Sequence, residues 1–99
     1  MSYKVRYTEA AREDLKRLFT FQADQDRRAA QNARKAIADS IKLLQEFPFT
    51  CRKAIPENPL LREMLVSFGA AGYVALFEIE DNNTVTILAV RHQREDDYY

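Results

Sequence analysis

The spacing of hydrophobic and polar residues divides the chain into a helical first half and a strand-rich second half. Apolar residues alternate with charged ones over residues 3–7, which predicts a half-buried strand. Thr8 is a suitable N-cap for a first helix, because its hydroxyl can accept a hydrogen bond from a first-turn amide. The apolar stripe of that helix comprises residues 11, 15, 18 and 19, and we expect the helix to end near residues 21–23.

A second amphipathic helix is predicted between an aspartate cap and Pro48. Asp24 and Asp26 are both plausible caps, and apolar residues then recur at spacings of three and four from Ala30 to Leu44. This gives a helix of about 20 residues, roughly 30 Å long. Small residues on this helix allow close packing against the first helix in a hairpin; they are Ala29, Ala30, Ala33 and Ala36.

The second half of the chain predicts three strands. Residues 49–59 contain prolines and look irregular, and strand-like alternation then covers residues 61–68, 73–79 and 84–91. Residues 69–72 and 81–83 have the composition of the two connecting turns. The predicted order β-α-α-β-β-β implies one α+β domain over residues 1–99, with two layers: a helical hairpin packed on a mainly antiparallel sheet.

Charge is balanced in total but not along the chain. The 99 residues contain 15 Lys plus Arg and 15 Asp plus Glu, so a protein built mainly to coat nucleic acid or an anionic membrane is excluded. Residues 1–53 hold twelve basic and seven acidic residues, whereas residues 54–99 hold three and eight. This asymmetry is typical of a polar interaction surface, but it also fits solvated charges that attract one another within the fold.

The supply of cysteine and histidine is small. One cysteine, Cys51, cannot form an internal disulfide, which predicts a reducing compartment and a cytoplasmic protein. One cysteine and one histidine are too few for the usual metal sites, and we expect no metal and no cofactor. No apolar run approaches the roughly 20 residues that span a bilayer, and residues 1–4 lack an apolar signal core.

The last predicted strand leads into the densest polar cluster of the chain, residues 91–99. His92 carries an imidazole, the side chain that most often serves as a general acid or base. Alternatively, His92 is an ordinary surface residue and the charges around it form a local ion-pair network. Further basic residues either bind phosphate or face solvent; they are Arg52, Lys53 and Arg62. The sequence contains no glycine-rich phosphate loop and no nucleophile elbow.

Four segments in this order resemble the RelE/ParE superfamily of type II toxin–antitoxin toxins. They are residues 5–15 (VRYTEAAREDL), Phe47-Pro48, residues 61–64 (LREM) leading to residues 72–77 (GYVALF), and residues 87–94 (ILAVRHQR). The resemblance covers nearly the full length and implies the same β-α-α-β-β-β fold that the periodicity predicts.

The superfamily contains two activities, so the fold alone does not decide the function. RelE-like toxins cleave mRNA in the ribosomal A site with several Lys and Arg residues, whereas ParE-like toxins inhibit DNA gyrase and are not known as catalysts. Two basic positions of the nucleases fall here near Ser67 or Gly69 and near Gln93, which are uncharged. The resemblance therefore favours the ParE branch. The alternatives are a ribosome-dependent endoribonuclease and a detoxified regulator that only binds its antitoxin.

The resemblance implies a binding protein with no catalytic residues. Its expected partners are DNA gyrase and a ParD-like antitoxin with a ribbon-helix-helix part. The toxin is expected to reach operator DNA only through this antitoxin. A toxin–antitoxin heterotetramer or larger assembly is expected. Arginine and tyrosine supply many binding hot spots, so the predicted gyrase-binding surface is Arg91, His92, Arg94, Tyr98 and Tyr99, with secondary basic contacts from Arg52, Lys53 and Arg62.

Overall fold

A five-stranded mixed sheet with two helices packed on one face forms the molecule. A computed structural model describes residues 2–68 and 71–92 and gives the strand order β1-β5-β4-β3-β2. β1 is parallel to β5, and the other neighbouring strands are antiparallel. The elements are β1 (Lys4–Tyr7), α1 (Glu9–Gln25), α2 (Arg27–Glu46), a 3₁₀ helix (Pro48–Thr50), β2 (Arg52–Ile55), β3 (Asn58–Phe68), β4 (Ala71–Ile79) and β5 (Thr84–His92).

Both helices begin at side-chain caps. The Thr8 hydroxyl accepts a hydrogen bond from the amide of Ala11 at 3.1 Å, which confirms the predicted cap of α1. α1 continues to Gln25, beyond the predicted end at residues 21–23, because no glycine or proline interrupts it. Asp26 alone separates the helices, and its carboxylate accepts from the amide of Arg28 at 2.9 Å. Of the two predicted caps of α2, Asp26 is therefore the one used.

The segment predicted to be irregular contains the 3₁₀ helix and an additional strand, β2. The element order is therefore β-α-α-β-β-β-β. β2 lacks alternating hydrophobicity because it is an edge strand that pairs only with β3, and most of its side chains are exposed. Its pairing slips between Lys53 and Ile55, close to the prolines that a central strand would not tolerate. The other predicted elements are confirmed within a few residues, except that two residues of the predicted turn 69–72 belong to β4: Ala71 pairs with Phe68, and Gly72 pairs with Ser67.

The hydrophobic core lies between the helices and the inner face of the sheet. On β4 the fully buried side chains are those of Tyr73 and Phe77, which lie on the same face, as the alternation over residues 73–79 predicts. Tyr3, Val5 and Tyr7 of the amino-terminal segment pack against this core, as their alternation predicts. The remaining buried members are Ala11, Leu18, Ala33, Leu44, Met64, Val66, Ala75, Ile79, Val85, Ile87 and Val90.

A β-bulge at Leu88 decides which way the end of β5 faces. Ile87 pairs with Phe77 and Ala89 pairs with Leu76, so Leu88 is an extra residue in β5. After the bulge, Val90 returns to the core. Because side chains alternate along a strand, the two residues that follow Val90 lie on opposite faces of the sheet.

Neither of the two described helices is apolar enough along its length to cross a bilayer.

Candidate interaction surfaces

The carboxyl end of β5 carries the described part of the predicted site, namely Arg91 and His92. Arg91 pairs with Val74 and therefore lies on the face of the sheet opposite the helices. Its Nη1 donates to the carbonyl of His92 at 3.3 Å. His92, the next residue, lies on the opposite face, so the structure places Arg91 and His92 on different faces of the sheet. The other predicted members, Arg94, Tyr98 and Tyr99, lie outside the described residues.

His92 packs against a fully buried tyrosine on the helix side of the sheet. The rings of His92 and Tyr73 meet edge to face, with 6.1 Å between centroids and an interplanar angle of 76°. Burial raises the pKa of the Tyr73 phenol above its usual 10.0, and a hydrogen bond with Gln22 partly opposes the increase. Tyr73 is therefore a neutral, fixed surface against which the imidazole rests.

The sheet face opposite the helices, which we call the open face, is apolar in the middle. Val74 and Ala89 lie on it, each only 3% exposed, whereas Leu65 on the neighbouring strand is 52% exposed. Arg91 follows Ala89 by two residues and lies on the same face. Arg91 therefore borders an apolar strip that no described helix covers.

Arg52 lies on the open face at the other side of the sheet. It pairs with Glu63, and its Nε is 3.0 Å from the Glu63 carboxylate. Because β5 and β2 are three strand spacings apart, roughly 15 Å separate Arg91 from Arg52 across the sheet. The open face thus presents arginine toward both edges with apolar side chains between them.

Arg62 binds the chain's own backbone on the other face. Its guanidinium donates to the carbonyls of Pro59 at 2.6 Å, Cys51 at 2.8 Å and Phe49 at 3.2 Å. It also lies 5.4 Å from the centroid of the Phe49 ring. Arg62 therefore fixes the 3₁₀ helix and the start of β2 against β3. Lys53 pairs with Arg62 and is exposed; contacts of Lys53, Arg52 and Arg62 with a target stay predictions.

The thiol next to Arg62 has the character of a structural residue. Burial raises the pKa of Cys51 above its usual 9.0, and the positive charge of Arg62 partly lowers it. A thiol that stays protonated is a poor nucleophile and a poor metal ligand. Within residues 2–68 and 71–92, no group of three His, Cys, Asp or Glu side chains is placed to hold a metal ion.

A second surface lies on the helices, in two adjoining depressions of about 490 and 500 Å³ that share Leu15, Phe19 and Arg34. We call them together the hairpin groove. The guanidinium of Arg34 lies 4.8 Å from the centroid of the Phe19 ring. The floor is apolar and the rim is mostly basic, with Asp24 as the acidic exception among the lining residues. The other lining residues include Tyr7, Ile37 and Ile41 on the floor and Arg12, Lys16 and Lys42 on the rim.

The sequence pattern did not reveal the hairpin groove, because the groove exists only where two helices meet. It also missed Asp14, a buried carboxylate whose Oδ2 accepts a hydrogen bond from the amide of Val90 at 2.9 Å. A signal was present: Asp14 lies between Ala11 and Leu15, at a position of the apolar stripe of α1. An acidic residue at such a position indicates a specific buried partner.

Solved structures share this fold of two helices on one face of a five-stranded sheet. Eleven chains of solved structures match the protein. One of them, from the "Chromosomal ParDE TA system from P. aeruginosa", superposes with a TM-score of 0.61 at 18% sequence identity. The match covers 92% of this chain and 96% of that chain. No curated protein sequence matches significantly.

The sequence also decides the branch of the superfamily. Residues 5–97 match the model of the family described as "ParE toxin of type II toxin-antitoxin system, parDE". The chain therefore belongs to the ParE toxin family, which confirms the predicted resemblance.

Proposed function

We propose that this protein is a toxin that inhibits DNA gyrase by binding it in the cytoplasm, and that a ParD-like antitoxin neutralises it. The observation that carries the gyrase proposal is the place of Arg91 beside the apolar strip of the open face. Arg91 is half-buried, and Leu65, on the other side of the buried Val74, is exposed; an arginine close to apolar surface is a common composition of a protein-binding hot spot. Membership of the ParE family supports the toxin role.

The contacts of Arg52 and Arg62 within the fold support binding over RNA cleavage. Phosphodiester cleavage by this kind of site needs cations directed at the developing charge. Here the Arg52 guanidinium is paired with Glu63, and that of Arg62 donates to backbone carbonyls. Their charges are thus used within the fold. We keep the endoribonuclease and the detoxified regulator as alternatives that the experiment below distinguishes.

The hairpin groove supports the antitoxin part of the proposal. Its apolar floor would accept the apolar side of an amphipathic helix, and its basic rim would attract acidic residues along the edges of that helix. We propose that an acidic amphipathic segment of the antitoxin binds there. The antitoxin's ribbon-helix-helix part would bind operator DNA and pair two toxins into a heterotetramer or larger assembly.

The gyrase proposal predicts a specific loss in Arg91→Ala. Purified wild-type toxin should inhibit supercoiling by gyrase. The variant should require a concentration at least roughly tenfold higher for the same inhibition, because it has lost a binding hot spot. Arg27→Ala, which removes the same charge from an exposed position of α2, is the matched control. Retained antitoxin binding shows that Arg91→Ala is folded.

Two outcomes would contradict gyrase inhibition, and a third would contradict the proposed site. Wild-type toxin in excess that leaves supercoiling unchanged but cuts mRNA in the A site of a translation extract would establish the endoribonuclease. A chain that does neither and still binds its antitoxin would be the detoxified regulator. Equal inhibition by Arg91→Ala and wild-type protein would place the gyrase contact elsewhere on the molecule.

Reversing charge on the rim of the hairpin groove should weaken antitoxin binding. Arg34→Glu and Lys42→Glu place negative charge where we propose that acidic residues bind, and together they should raise the Kd by roughly 10- to 100-fold at low salt. Lys35→Glu makes the same change on α2 outside the lining of the groove. Calorimetric titration with the antitoxin measures the Kd of each variant. An equal loss of affinity in Lys35→Glu would indicate that the antitoxin is attracted by net charge and does not bind in the hairpin groove.

A further inference from the structure

Asp14 is a buried carboxylate for which the proposed function has no use. It lies on α1, is only 5% exposed, and its Oδ2 accepts a hydrogen bond from the amide of Val90 at 2.9 Å. Burying a carboxylate is unfavourable unless strong hydrogen bonds replace its water. A position in the apolar stripe of α1 would ordinarily hold a leucine or an alanine. The carboxylate must therefore do something that an apolar side chain could not.

The end of β5 explains what Asp14 does. β1 pairs with β5 only as far as Tyr7 and Ile87, whereas β5 continues to His92. Beyond the end of β1, the backbone groups of β5 on that side have no neighbouring strand, and buried backbone groups require a partner. α1 supplies two: the Thr8 hydroxyl donates to the carbonyl of Leu88 at 3.1 Å, and Asp14 accepts from Val90.

These two hydrogen bonds hold the strand at the bulge and just after it. Leu88 is the extra residue of the bulge, and Val90 is the residue that returns to the core after it. Arg91 follows at once, so the peptide that Asp14 binds sets the direction in which the Arg91 side chain leaves the sheet. Without that bond, a bulged strand end with one free edge could take another register or fray.

We infer that Asp14 is a positioning residue for the target-binding arginine: through the amide of Val90 it fixes the end of β5 so that Arg91 projects from the open face. This inference rests on the proposed function, in which Arg91 contacts the target. The Asp14 side chain is buried between α1 and β5, so it acts through the strand and not by contact with the target.

The test compares two substitutions of Asp14 with a core variant. Asp14→Asn keeps an oxygen that accepts from Val90, and we expect wild-type growth arrest and gyrase inhibition. Asp14→Ala removes the acceptor and should inhibit gyrase roughly tenfold less per folded molecule. Leu44→Ala is the control, because it removes a fully buried side chain of α2 and leaves Asp14 and Val90 in place. It should inhibit like wild type once the folded fraction is matched.

A second readout is independent of gyrase. Hydrogen exchange of the Val90 amide, followed by NMR, should be faster in Asp14→Ala than in the wild type. The comparison is made under conditions in which this amide exchanges at the wild-type rate in Leu44→Ala. Unchanged Val90 exchange, or full inhibition by folded Asp14→Ala, would overturn the inference. If Asp14→Ala does not fold, Asp14→Ser, which is too short to reach Val90, replaces it. A wild-type chain without effect on gyrase would refute the proposed function, and the Val90 measurement would still decide the role of Asp14.

Discussion

Single polar side chains hold together the places where this fold changes direction. Asp26 is the one residue between two long helices: its amide donates to the carbonyl of Gln22 at 2.8 Å, and its carboxylate accepts from the amide of Arg28. It thus ends one helix and begins the other. A junction this short fixes the angle between the helices and therefore the shape of the hairpin groove.

Replacing this junction residue should have a measurable effect on stability. Asp26→Ala leaves the amide of Arg28 without its side-chain acceptor, and we expect the free energy of unfolding to fall by about 1 kcal/mol. Urea denaturation followed by circular dichroism measures the change. Asp24→Ala, two residues earlier and inside α1, is the control and should change stability by less than about 0.5 kcal/mol. Equal losses in both variants would contradict the capping role.

The strands of this sheet differ in how firmly they are held. β4 is flanked by β3 and β5 and contains fully buried side chains, whereas β2 is a four-residue edge strand with an irregular register. Local opening needs the least free energy where few buried contacts are broken. β2 should therefore open while the rest of the sheet stays intact.

Native-state hydrogen exchange tests this difference between strands. Amides of β4 such as Ala75 and Phe77 should exchange only through global unfolding, at a free energy equal to that from denaturation. Amides of β2 should exchange at a free energy lower by roughly 2 kcal/mol or more and with little dependence on urea. A common value for both strands, with the same dependence on urea, would show that β2 opens only with the whole fold.

At this scale the sequence predicts long, periodic elements well and short irregular ones poorly. Both helices and the strands with clear alternation were predicted close to their observed bounds, because each buries one regular face. β2 was not predicted, since an exposed edge strand needs no alternation. The sequence predicted one surface that holds both Arg91 and His92, whereas the structure places them on opposite faces of the sheet. The pattern did not reveal the bulge at Leu88 that decides which of them faces the helices, and the residues that bond this part of β5, Thr8 and Asp14, are distant in sequence.

For the molecule as a whole, buried titratable groups predict loss of stability at alkaline pH. Burial raises the pKa of Tyr7 and Tyr73 above 10.0 and that of Cys51 above 9.0. The folded state thus holds these protons more tightly than the unfolded chain does. Their contribution to stability is complete below the ordinary pKa values and is lost as pH rises through the raised ones.

Urea denaturation between about pH 8 and pH 11 should show this decline. Cys51→Ser removes the part that begins near pH 9, and Tyr7→Phe removes part of the decline above pH 10. The part of the tyrosinate absorbance that comes from the buried tyrosines should appear only when the protein unfolds. A free energy of unfolding that stays constant across this range would show that burial of these groups is not coupled to folding. An unchanged dependence of stability on pH in Tyr7→Phe would show the same for the Tyr7 phenol.

The extra residue at Leu88 also gives the last strand an unequal tolerance to changes in length. β5 contains one residue more than the stretch of β4 opposite it. Loss of one residue at Leu88 or Ala89 could be absorbed by straightening the strand, which would leave Arg91 on the open face. One added residue has no such remedy: unless the bulge widens, every side chain beyond it turns over, and Arg91 takes the place of His92 on the helix side of the sheet. The spare residue thus protects the direction of Arg91 against shortening of the strand but not against lengthening.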